Sequence, residues 1–243
     1  MINTKKIWYL LAAMAVILIT TVALMSNKKE VEKTPKNPYQ AIDGAKTNSY
    51  EPVGESLELT TDDNVIGNKK AELIVFVYED YSSPYSAVLA ETLSRINSEL
   101  DNKLTIAIRP FVTAGNNISR EGALTLMCAQ DEGKFSEMRN VILAAAKEGS
   151  LQEGGFNVYA NQLGIDETAF NNCLTNEEKS LKLEAIMAEA DKNLVIGAPT
   201  IFIANEMIIG ARPYSDFVDS NGDAVEGLKA VVDRQLSAVG TKK

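Results

Sequence analysis

Six consecutive apolar or aromatic residues, Leu73–Tyr78 (LIVFVY), are followed after a five-residue interval by Pro84 and a helical pattern. In that pattern Tyr85, Leu89, Leu93, Ile96 and Leu100 recur at three- and four-residue steps. An unbroken β-rich apolar run suits a strand covered on both faces, whereas three- and four-residue steps give a helix one buried face. Lys103–Phe111 (KLTIAIRPF) then alternates as a second strand, with Pro110 near its end. Strand, helix and strand within about 40 residues define a parallel βαβ unit, right-handed by strong precedent. A chain that contains this unit must build an α/β sheet with helices on its faces.

From Ile118 to about Asn193 the pattern is helical, broken at Gly133 and again at Gly154-Gly155. Two of its segments, from Asp166 and from Asn176, begin with an Asp or Asn cap followed by acidic residues in the first turn. PTIFIAN (199–205) and MIIGA (207–211) predict a hairpin of short strands separated by Glu206. Residues 224–239 predict a closing amphipathic helix through Val225, Leu228, Val231, Val232 and Leu236. The order is βαβ, a helical block, then ββα, with no internal repeat.

The 243 residues are 45% hydrophobic, enough for a sizeable core in one or two domains. The chain has no histidine, which removes Ser-His-Asp catalysis, Cys-His pairs and most transition-metal sites; no metal is expected. Its two cysteines, Cys128 and Cys173, are too far apart to form a Cys-x-x-Cys pair. The formal charge is −9, and beyond residue 36 there are 18 basic against 31 acidic groups, so nucleic acid is not an expected partner.

Ile7–Met25 is 19 residues without a charge, long enough as a helix to span about 28 Å, roughly one hydrocarbon core. Lys5 and Lys6 precede it, and Trp8 and Tyr9 stand where an interfacial belt forms. No small-x-small cleavage site or lipobox cysteine follows, so residues 7–25 are expected to be a retained, single-pass signal anchor in the plasma membrane. Residues 1–6 would then be cytoplasmic and the globular part extracytoplasmic, although Lys28 and Lys29 weaken the charge bias. Residues 26–56 are polar, without periodicity, and are expected to be a flexible tether. The globular domain is placed at 57–240, with its helical insert at about 115–193.

Strand, helix, strand, a hairpin entered through a small residue and a proline, then a helix: this order resembles the thioredoxin fold. With a helical insert it resembles the DsbA-like branch of exported thiol-disulfide oxidoreductases. DYSSPYSAV (80–88) is similar to that branch's Asp-aromatic-x-Cys-Pro-x-Cys stretch at the helix start. LMCAQDEGKFSEM (126–138) and AFNNCL (169–174) resemble its insert helices, and GAPTIFIANEMIIGARPYSDF (197–217) its cis-proline loop and hairpin. The resemblance covers about residues 60–237. It implies a candidate site at Ser83, Pro84, Tyr85 and Ser86, with the redox cysteines falling on Ser83 and Ser86.

Thiol-disulfide exchange requires a thiolate attacking a disulfide sulfur, so no oxidoreductase activity is expected of a hydroxyl pair. Ser83 as N-cap with Pro84 at N1 is also an ordinary helix start, worth about 1 kcal/mol for the cap. Glu79 and Asp80 are neighbours on a strand and point to opposite faces, so they are not expected to act as a carboxylate pair. The loop Ile196, Gly197, Ala198 and Pro199 would, by the resemblance, present backbone groups to an extended peptide or unfolded client; Pro199 equally fits a plain turn into the next strand. Cys128 and Cys173 fit buried thiols. The resemblance, with cysteines frequent at both insert positions, implies instead a structural disulfide. SSPYSAVL also resembles kappa-class glutathione transferases and a related isomerase family, which implies Ser83 stabilising a glutathione thiolate; otherwise no cofactor is expected. A further alternative is an accessory subunit of a disulfide-forming system.

Overall fold

The apolar run at 73–78 is continuous because both faces of its strand are covered. In the computed structural model, which describes residues 49–50, 57–101, 103–204 and 206–240, it forms β3 (Leu73–Glu79). This strand lies between the parallel β4 (Leu104–Pro110) and the antiparallel β5 (Thr200–Ile203). Helix α1 (Pro84–Glu99) connects β3 to β4, as the βαβ pattern predicts. Leu73, Val75 and Val77 join one apolar cluster with Leu89, Leu93 and Ile96 of α1. Phe76 and Tyr78 join another with Phe202, Met207 and Ala190. The anchor read at 7–25 and nearly all of the tether lie outside the described residues. Among the described residues no helix is long and apolar enough to cross a membrane.

The six-stranded sheet has the order β1-β6-β5-β3-β4-β2, with β6 at Glu206–Ile209, β1 at Ser49–Tyr50 and β2 at Asn64–Gly67. Ser49–Tyr50, inside the stretch read as a tether, pairs with Ile208 and Met207. The edge strand β2 is too short and too polar at its ends to carry an alternation signal. Glu206 belongs to β6, where it pairs with Ile203 and holds Arg234 and Gln235, so it does not separate the hairpin strands.

The helical block comprises α2 (Asn117–Asp131), α3 (Phe135–Glu148), α4 (Asn157–Gln162), α5 (Glu167–Leu174) and α6 (Glu177–Lys192). Its expected caps are present: Asp166 accepts from Ala169 N and Asn176 from Glu178 N, each at 2.8 Å. The closing helix α7 spans Leu228–Gly240, and Val225 lies ahead of it in a short ladder of β7 (Phe217–Val218) with β8 (Ala224–Val225). Gly227 sets that junction, since a Cβ there would stand 2.2 Å from the carbonyl carbon of Ser215.

A buried arginine fastens the segment before β2 to the sheet. Arg109 donates to Asp63 through Nε (2.7 Å) and Nη2 (2.9 Å), to the Glu58 carbonyl, and to Glu189 of α6. Tyr78 Oη donates to the same Glu189 carboxylate at 2.9 Å. Burial alone would raise the Asp63 carboxyl, but hydrogen bonds from Arg109 and Thr60, with the guanidinium charge, hold it below the usual carboxylate range. A carboxyl with its pKa lowered by folding stabilises the native state above its unfolded pKa, and that stability is lost as pH falls through the folded value. The Asp63→Asn variant is therefore expected to show a flatter stability-pH curve below about pH 4. Urea midpoints measured across the acid range check this; equal slopes in variant and parent would refute it.

Candidate functional site

The approach to α1 is built by side chains that lock a four-residue loop. Asp80, buried at the end of β3, accepts from Ser82 N (2.8 Å) and Ser82 Oγ (2.7 Å), and from Thr113 Oγ1 through its other oxygen. Asn116, the N-cap of α2, donates to Ser82 Oγ at 3.1 Å and accepts from Ser119 N. Tyr81 is buried against Gly122 of α2, where a Cβ would lie 3.1 Å from the tyrosine Cβ. Burial, with the Glu79 charge next, holds the Tyr81 phenol well above its ordinary range, so it stays protonated.

Ser83 is the N-cap residue in extended conformation and Pro84 holds N1, but the Ser83 hydroxyl makes no capping bond. The amide of Ser86, the usual recipient, donates instead to the Ser83 carbonyl at 3.1 Å. The cap contribution expected of that hydroxyl is therefore absent. Ser83 and Tyr85 are half-buried, and Pro84 is exposed. Ser86 is 0% exposed, and its Oγ has no hydrogen-bond partner among the described residues.

The second candidate segment comes to the same end of the sheet through strand pairing. Thr200 pairs with Tyr78, so Pro199 and the loop at 80–83 leave neighbouring strands together. The Ala198-Pro199 peptide is cis. Thr200 Oγ1 donates to the Gly197 carbonyl at 2.7 Å, and Gly210 N donates to the Pro199 carbonyl at 2.8 Å. Ile196, just ahead, is 80% exposed. Among the described residues, no hydrogen bond engages the backbone N–H of Ile196, Gly197 or Ala198.

The cysteines lie elsewhere. Cys128 of α2 and Cys173 of α5 are disulfide-bonded, 45 residues apart, within the helical block. A loop of that length corresponds to about 4 kcal/mol on the chain-entropy model. Among the described residues no cluster of three or more His, Cys, Asp or Glu side chains could hold a metal.

Sequence reasoning missed one element next to the site. Glu79, fully buried, forms an ion pair with Arg139 of α3: Nε donates to Oε2 at 2.8 Å and Nη2 to Oε1. The signal was present, because Arg139 falls on the apolar stripe of α3 among Phe135, Met138 and Ile142. Glu79 is thus bound to the helical block while Asp80 shapes the loop, and the two adjacent carboxylates serve different partners.

A family model described as thioredoxin matches residues 59–220. The chain belongs to the thioredoxin family. A Rickettsia conorii relative, named as a protein-disulfide oxidoreductase, is 25% identical over 221 residues, covering 87% of this chain and 72% of its own length. Two solved structures share the fold of this thioredoxin-family chain. Oxidised BdbD from Bacillus subtilis has a TM-score of 0.60 at 16% identity, over 79% of this chain and 98% of that one. The thiol-disulfide exchange protein alpha-DsbA2 from Wolbachia pipientis has a TM-score of 0.55 at 18% identity, over 74% of this chain and 88% of that one. As a member of the thioredoxin family, the chain has a DsbA-like arrangement, with its helical block inserted between β4 and β5.

Proposed function

We propose that this chain holds an extended peptide or unfolded client non-covalently and carries out no thiol-disulfide exchange. In this reading it is tethered to the plasma membrane through residues 7–25, with the thioredoxin domain outside. Support for redox inactivity comes from chemistry: Ser83 and Ser86 offer oxygen where exchange needs sulfur, and both cysteines are committed to a bridge elsewhere. The observation that carries the binding reading is the backbone edge Ile196–Ala198, with N–H donors that have no hydrogen-bond partner among the described residues, beside an exposed Ile196. A peptide lying along this edge gains main-chain hydrogen bonds, as an added strand does.

The test is fluorescence anisotropy of labelled extended peptides titrated with the full chain. Saturable binding is expected, insensitive to reductant and to thiol-blocking reagents, and about tenfold weaker in Ile196→Glu, a loss of about 1.4 kcal/mol. Absence of saturation, or no effect of Ile196→Glu, would overturn the reading.

One observation favours a second reading, because the Ser83 hydroxyl is not spent on capping. That hydroxyl, at the positive end of α1, suits a bound glutathione thiolate. Retention of the chain on immobilised glutathione, lost in Ser83→Ala, separates the two.

A further inference from the structure

Most cations of this acidic chain are held by a carboxylate. Among the described residues, those outside every ion pair are Lys69, Lys70, Lys103, Lys192 and Arg212. Arg212 is buried, and of the four exposed lysines Lys69, Lys70 and Lys103 meet at one place. Lys69 and Lys70 are the central residues of a turn in which Ala71 N donates to the Asn68 carbonyl and Lys70 N to Asn68 Oδ1, each at 3.0 Å. Asn68 N donates to the Leu104 carbonyl at 2.9 Å, and the Asn68 carbonyl also accepts from Thr105 Oγ1, which sets this turn beside Lys103. Lys103 is fixed in turn by its N–H, which donates to the Leu100 carbonyl at 3.1 Å.

The two turns lead into β3 and β4, whereas the loop at 80–83 leaves the other end of β3. The lysines and the candidate site therefore stand at opposite ends of the sheet. The carboxylates at the lysine end are Glu72, which already has a partner, Glu99, which is held by Arg95 and Tyr214, and Asp101, which no ion pair engages. One uncommitted carboxylate against three uncommitted ammonium groups leaves this face positive, although the whole chain carries −9. Acidic groups elsewhere on the surface do not cancel it, because charges are screened beyond about 8 Å at physiological salt.

We propose that the face formed by Lys69, Lys70 and Lys103 docks on the anionic phospholipid headgroups of the membrane that carries the chain, so that the Ile196–Ala198 edge and the start of α1 point away from the bilayer. The proposal rests on the reading of residues 7–25 as an anchor. Residues 26–48 have a maximum reach of about 80 Å, so an anchor alone fixes no orientation, and the lysine face supplies one. Each lysine near an anionic surface favours contact roughly fivefold, with Asp101 opposing. Ammonium groups on flexible stems suit a fluid array of headgroups, which presents no fixed fork to match.

The test is low-conversion acetylation of the full chain by a water-soluble N-hydroxysuccinimide ester, with each lysine read by mass spectrometry. The chain is placed in nanodiscs of phosphatidylcholine alone or mixed with phosphatidylglycerol. Entry into the neutral nanodiscs reports the anchor by itself; a chain that does not enter is read with added vesicles of the same two compositions, so the lysine face is tested either way. Lys69, Lys70 and Lys103 should react at least fivefold more slowly at the anionic bilayer, and Lys192, exposed at the end of α6, equally fast at both. Salt at about 1 M, where the Debye length is about 3 Å, should abolish the difference. The variant Lys69→Ser/Lys70→Ser should return Lys103 to within twofold of its neutral-bilayer rate. Asp101→Asn should slow Lys103 further, and asparagine tolerates the φ of 51° at that position. Soluble polyglutamate added to the neutral bilayer should slow Lys103 less than twofold. Equal Lys103 rates at the two bilayers, equal slowing of Lys192, slowing that survives the double variant, or slowing as strong with polyglutamate would overturn the proposal.

Discussion

The double variant Ser83→Cys/Ser86→Cys is expected to reduce insulin disulfides at least 100-fold faster than the parent, whose rate should match the uncatalysed background. Everything but sulfur is in position: an N-cap residue, a proline at N1, and a second site three residues on at the first turn of α1. Thiols at a helix N-terminus ionise more readily, which supplies the attacking thiolate. Sulfur also suits position 86, because Ser86 Oγ forms no hydrogen bond that would be lost among the described residues, and a thiol packs as a small apolar group. Either single variant should remain at background, since turnover needs a second sulfur to resolve the mixed disulfide. Turnover by the parent itself would defeat the proposed redox inactivity. A silent double variant would show that the loop locked by Asp80, Ser82 and Asn116 is unsuited to exchange.

Arg139→Met is expected to destabilise the fold by about 3–5 kcal/mol, the usual consequence of removing one partner from a buried ion pair. The loss arises because Glu79, fully buried at the end of β3, would keep its carboxylate without a counter-charge. The double variant Glu79→Gln/Arg139→Met should recover most of that stability, because neither buried charge remains. Urea unfolding of the four members of this cycle measures the coupling. A loss below about 1 kcal/mol for Arg139→Met would mean that water reaches Glu79 and that the pair is not buried in solution.

The elements most legible in the sequence were those whose pattern reports directly on burial. Leu73–Tyr78 reads as a two-faced strand because its successive side chains enter two different apolar clusters. The caps at Asp166 and Asn176 were legible because they act within three residues. Contacts between distant segments were not. Arg109 and Arg139 look like ordinary charged residues until Asp63 and Glu79 are brought to them from 46 and 60 positions away. Likewise β2 depends on pairing with β4, and a four-residue edge strand carries too little periodicity to announce itself. At the start of α1 the N-cap and N1 residues were legible and the Ser83 bond was not, because the Ser86 amide can satisfy itself on either the hydroxyl or the carbonyl of Ser83.

Both rims of the sheet are formed by chain that precedes the central strand, β1 against β6 and β2 against β4. Mechanical load entering from upstream of Ser49 would meet the weakest attachment first, a ladder of only two residue pairs. That ladder would unzip ahead of the Asp63–Arg109 clasp, which would bear the remaining tension before the central strands felt it. The molecule thus has a graded give, a sacrificial rim followed by a bolted one.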